Sequence, residues 1–109
     1  MVDFNKVNRK LKRIVGDIAE SIRGVDMEGK KNLDQNAVKE LFALLHEVKA
    51  EIKQSQVVDK QFVALLFYLY SRVYTEIGYT DFPEALFVLA GDLEHEFGEL
   101  FGPSLHGSN

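Results

Sequence analysis

Apolar residues recur at steps of three and four along nearly the whole chain, and no window alternates with a period of two for long. Helix is therefore the only regular structure the pattern supports. The spacing predicts helices over 3–23, 34–54, 59–77 and 81–101, followed by a flexible tail over 102–109. In the first, Phe4, Val7, Leu11, Ile14, Val15, Ile18 and Ile22 line one face, and Gly24 offers a stop because glycine tolerates a left-handed backbone. The stretch from Gly24 to Leu33, with Gly29 and mixed charges, is the loosest part of the interior. Asp34 is placed to cap the second helix, whose stripe is Val38, Leu41, Phe42, Leu45, Val48 and Ile52. Gln54 to Val58 forms the next break.

The third predicted helix is apolar on almost every side between Phe62 and Tyr70, so its faces need cover from neighbouring helices, from a bound partner, or from both. Gly78 is expected to end it. Thr80 or Asp81 then caps the fourth helix, with Asp81 and Glu84 at capping-box spacing and Pro83 tolerated in a first turn whose amides lack helical partners. The fourth stripe is Phe82, Leu86, Leu89, Leu93, Phe97 and Leu100.

A chain of 109 residues makes one domain around one core. It has no cysteine, so disulfides, thiolate metal sites and a cysteine nucleophile are excluded, and packing must carry the stability. The expected fold is all-α, an antiparallel up-down-up-down four-helix bundle in which consecutive helices are neighbours and the first also flanks the fourth. That arrangement sets Lys6, Arg9, Lys10 and Arg13 beside Asp92, Glu94, Glu96 and Glu99. Exposed pairs of this kind are worth ~0–1 kcal/mol each, enough to choose between topologies but not to hold the fold.

Charge and hydropathy narrow the function. The basic N-terminal segment is amphipathic and unlike a signal peptide, and the longest apolar run, Phe62 to Tyr70, is about half of the roughly 20 residues a spanning helix needs. A soluble, cytoplasmic protein is expected, monomeric or weakly dimeric through the third helix. Arg72 is the last basic residue, and everything after it is acidic where it is charged. With only Lys6 to Arg13 as a cationic candidate, no nucleic-acid partner is expected.

Catalytic patterns are absent or incomplete. Gly24 to Lys31 has the glycine and lysine spacing of a phosphate-binding loop, but Lys31 stands where Ser or Thr is required and no strand precedes it. His46, His95 and His106 make no paired Glu-x-x-His arrangement, and no serine sits in a Gly-x-Ser-x-Gly elbow. Glu96-x-x-Glu99, with Asp92 a turn earlier, is the one enzyme-like feature. It suggests magnesium as held by all-helical nucleotide pyrophosphohydrolases, yet Glu47 and Glu51 on the second helix are four apart and supply no second pair. The residues point to a binding protein without catalysis, metal or cofactor.

The segment from Tyr68 to Leu86 is the most distinctive: Tyr68-Leu69-Tyr70, Tyr74-Thr75, then Ile77-x-Tyr79-Thr80, an acidic and an aromatic residue, Glu84 and Leu86. With a one-residue gap near Glu76 it resembles the third and fourth helices of pediocin-like (class IIa) bacteriocin immunity proteins of the enterocin A immunity type. Arg13 to Ile22 and Leu41 to Lys53 are similar to that family's first two helices, less specifically. The resemblance implies a cytoplasmic four-helix bundle that protects its cell from a membrane-permeabilising peptide. It implies action from inside, on the mannose phosphotransferase permease once the peptide has engaged it, with specificity in the C-terminal half. On this basis Tyr74, Tyr79, Phe82, Phe101, Leu105 and His106 are the expected recognition residues. The short tail and Pro83 depart from the family pattern. The alternative outside that family is a helical adaptor or regulator whose acidic face binds a basic partner.

Overall fold

The computed structural model describes residues 2–23, 33–79 and 83–102. Four α-helices account for most of them: α1 (Phe4–Ile22), α2 (Gln35–Gln54), α3 (Lys60–Glu76) and α4 (Pro83–Phe101). Aspartates start the first three. Asp3 accepts from the Asn5 amide, Asp34 from the Ala37 amide and Asp59 from the Phe62 amide, each at 3.0 Å, which satisfies donors that have no partner inside the helix. Pro83 opens α4, where its missing N–H costs nothing. Gly78 does not end α3 in a left-handed turn. It lies within a 3₁₀ turn, Ile77–Tyr79, that continues the helix by tightening it. The stop expected at Gly24 and the caps expected at Thr80 or Asp81 lie outside the described residues.

The predicted stripes form the core. Leu11, Ile14, Ile18, Ile22, Leu41, Leu45, Phe62, Leu66, Leu69, Leu86 and Leu93 are all buried. Burying each such side chain is worth ~1.5–3 kcal/mol, which makes this the main source of stability. Ala37, Leu44 and Ala90 join them, while Phe42 and Phe97 pack against the core with one side exposed.

Cross-helix contacts fix the directions. Val2 donates to Glu51 at 2.9 Å, so the start of α1 meets the end of α2. The rings of Phe62 and Phe101, 6.4 Å apart, join the start of α3 to the end of α4. The chain therefore runs up-down-up-down as expected. Its neighbours differ from the expectation. Asn8 donates to Asp59 at 2.8 Å and the Phe4 and Phe62 rings meet edge to face at 5.5 Å, so α1 lies parallel against α3. Lys49 and Glu96, 3.4 Å apart, likewise join the parallel α2 and α4. Around the bundle the order is α1, α2, α4, α3, and among the described residues α1 makes no close backbone contact with α4, nor α2 with α3.

The expected pairing of the α1 bases with the α4 acids is thus overturned. Arg13 pairs with Asp17 at 3.0 Å and with Glu40 at 2.6 Å, and Glu96 is held by Lys49. Two physical reasons account for the difference. The connector between α2 and α3, from Ser55 to Asp59, begins extended and reaches ~17 Å at about 3.4 Å per residue. A bundle with axes ~10 Å apart has a diagonal of about 14 Å, so a short connector does not force adjacency. Exposed ion pairs are also too weak to override the packing of Phe4, Asn8 and Phe62 across α1 and α3.

Candidate functional site

A helix that buries Phe62, Leu66, Leu69, Val73 and Glu76 points the residues between them outward. In α3 those residues are also apolar. Phe67 is 67 % exposed and Tyr68 51 %, while Phe62 is fully buried. Central burial, one of the covers the sequence allowed for α3, therefore reaches one face only. The bare face runs from Val58 through Ala64 to Ser71 and encloses an open depression of about 730 Å³.

The other exposed aromatic surface belongs to the α3–α4 hairpin. Tyr74 is more than half exposed, Tyr79 is 70 % exposed on the 3₁₀ turn, and Phe87 and Val88 stand out from the first turns of α4. A series of six rings links this hairpin internally and ties it to Phe4 of α1. Tyr74 lies 5.5 Å from Tyr70, Tyr70 5.7 Å from Phe97, Phe97 6.4 Å from Phe101, Phe101 6.4 Å from Phe62, and Phe62 5.5 Å from Phe4. Edge-to-face and tilted contacts of this kind add ~0.5–1.5 kcal/mol per pair to simple burial. They stiffen the hairpin that presents Tyr74 and Tyr79.

The recognition residues expected from sequence do not form one cluster. Tyr74 and Phe101 are joined by the ring series, but Phe101 sits beside Phe62 at the start of α3 while Tyr79 lies beyond its far end. The separation between those ends is ~25 Å at 1.5 Å per residue. Phe82, Leu105 and His106 lie outside the described residues. Phe67, Tyr68, Phe87 and Val88, all exposed, were not among the expected recognition residues. A signal for the first two was present, since α3 holds more apolar residues than one stripe needs.

Burial raises the Tyr70 phenol above its ordinary value, with a smaller contribution from the neighbouring Glu94 carboxylate. Asp59 is pulled below the ordinary aspartate range, first by the Phe62 amide and then by the Asn8 side chain, both donating to its Oδ1. Arg72 pairs with the buried Glu76 one turn on. These groups serve helix ends and helix pairs. Glu96, on which the magnesium alternative turns, faces Lys49 across the α2–α4 seam. Among the described residues, no three His, Cys, Asp or Glu side chains are placed to hold a metal ion. No family model matches the chain, and no curated protein or solved structure matches it at a significant level.

Proposed function

We propose that this chain is an immunity protein of the pediocin-like bacteriocin type, a binding protein without catalysis that acts from the cytoplasm on a mannose phosphotransferase permease engaged by its peptide. The observation that carries the reading is the α3–α4 hairpin, which coincides with the Tyr68 to Leu86 resemblance and exposes Tyr74, Tyr79 and Phe87 on a framework stiffened by tilted and edge-to-face rings. Large aromatics held at low conformational cost are the usual anchors of protein recognition. The up-down-up-down bundle is also the architecture the resemblance implies.

The test is expression in a sensitive lactic-acid bacterium challenged with a panel of pediocin-like peptides, against an empty vector. Protection selective for one or a few peptides is the expected result. Tyr74→Ala with Tyr79→Ala abolishes protection while far-ultraviolet circular dichroism stays helical. Full protection by that variant removes the hairpin from the site, and no protection against any peptide at good expression removes the immunity reading.

A second reading, an adaptor for a basic partner, draws support from α4. That helix carries Glu84, Asp92, Glu94, Glu96 and Glu99 with no lysine or arginine, and its position diagonal to α1 leaves Glu94 and Glu99 exposed. Binding that is weakened by Glu94→Lys and Glu99→Lys, in a protein that gives no immunity, would favour it.

A further inference from the structure

The ring order of the helices divides the molecule electrostatically. The α1 helix carries Lys6, Arg9, Lys10, Lys12 and Arg13 against Asp17 and Glu20, and α3 adds Lys60 and Arg72 against Glu76. In α2 the lysines and glutamates balance, and α4 is acidic throughout. One layer of the bundle, α1 with α3, is therefore basic, and the other, α2 with α4, is acidic. Adjacent α1 and α4 would have cancelled this difference, and the diagonal arrangement preserves it.

The bare apolar face of α3 lies in the basic layer. Its depression is lined by Val58, Ala64, Phe67 and Tyr68 together with Lys60. Tyr68 also borders a second depression, of about 660 Å³, between α1 and α3, where Lys12, Arg23 and Arg72 line the sides together with Glu20. Arg9 and Lys12 border the next hollow along the same seam. An apolar ridge and a cationic flank thus form one continuous surface.

We propose that this surface docks on an anionic phospholipid bilayer, with Val58, Phe67 and Tyr68 entering the headgroup–acyl boundary and Lys60, Lys12 and Arg9 meeting lipid phosphates. Charge selects this occupant. A second copy of the chain seated face to face would bring two cationic flanks, each with Arg9, Lys12 and Lys60, into one interface, a repulsion the apolar contact would have to overcome. A bilayer surface rich in anionic lipid matches both features, because it attracts the cations and accepts the aromatic side chains at shallow depth. The contact is peripheral, since no described helix is long and apolar enough to cross a membrane. It goes beyond the immunity reading and is measured without peptide or permease, so either can fail alone.

The chain contains no tryptophan, so Phe67→Trp introduces a single tryptophan, excited selectively over the tyrosines, at the centre of the proposed contact. Its emission is expected to shift to the blue with vesicles of phosphatidylcholine mixed with phosphatidylglycerol, and not with phosphatidylcholine alone. Phe87→Trp, on the acidic layer, is expected to show no shift. Cosedimentation of the unsubstituted chain gives the same lipid preference without an introduced tryptophan. Lys12→Gln and Lys60→Gln each lower the partition coefficient roughly fivefold, and added salt weakens binding further. The proposal is overturned by no binding to either vesicle or by equal binding to both. It is overturned equally by a matching shift at Phe87→Trp, by a concentration-dependent shift without vesicles that marks self-association, or by duplex DNA binding in preference to anionic vesicles.

Discussion

Phe62 and Phe67 are the same residue type five positions apart in one helix, and truncating each to Ala is expected to give very different results. Phe62 is fully buried, touching Phe4 at 5.5 Å and Phe101 at 6.4 Å between ring centres. Phe62→Ala removes most of a buried ring and leaves a cavity that its neighbours only partly fill, which costs ~3–5 kcal/mol. A domain of this size is stable by only ~5–15 kcal/mol, so the loss is a large share. With an unfolding entropy of about 2.1 cal/mol/K per residue, ~4 kcal/mol lowers Tm by roughly 15–20 °C. Phe67, two-thirds exposed, loses few contacts. Phe67→Ala should stay within ~0.5 kcal/mol, or about 2 °C. Thermal and urea unfolding followed by circular dichroism in dilute solution measures both. A Phe67→Ala loss comparable to that of Phe62→Ala would refute the outward orientation of that face of α3.

Three further outcomes follow from the helix ends and the seams. Asp34→Ala removes the acceptor for the Ala37 amide at 3.0 Å and should cost about 1 kcal/mol, read as a lower urea midpoint at unchanged slope. Because Asp59 titrates lower in the folded chain than in the unfolded one, its contribution is complete above the ordinary aspartate range and is lost as pH falls through its depressed folded value. Asp59→Ala should therefore be less stable than wild type at neutral pH, with the difference narrowing on acid titration. Tyr70 behaves oppositely: its raised folded value gives stability that is complete below about pH 10 and lost as pH rises through the folded value. Tyr70→Phe should flatten the alkaline limb of the unfolding curve, and an unchanged limb would place the phenol in contact with water.

Much of the fold was legible because it is local. Asp34 caps α2 where its position beside the apolar run indicated, and Pro83 opens α4 as its missing amide permits. Gly78 marked the end of α3 to within two residues, and there the chain tightens into a 3₁₀ turn without a left-handed residue. The recognition residues were less legible. Tyr74 and Tyr79 are exposed, and the predicted bounds of the fourth helix already put Phe101 a helix length from Tyr79, but no spacing rule revealed that Phe67 stands bare while Phe62 is enclosed.

Sequence alone determined the all-helical character, the near-final bounds of four helices, the stripes that α1, α2 and α4 bury and the alternating direction of all four. Periodicity, caps and breakers act over a few residues, and a chain carries them wherever its helices come to rest. Only the tertiary structure decided which helices are neighbours. A connector able to span a bundle diagonal leaves both orders open, weak surface ion pairs do not choose between them, and the choice falls to the fit of Phe4 and Asn8 against Phe62 and Asp59. That choice sets basic α1 diagonal to acidic α4 and creates two faces of opposite charge, a property of arrangement that no one-dimensional pattern contains.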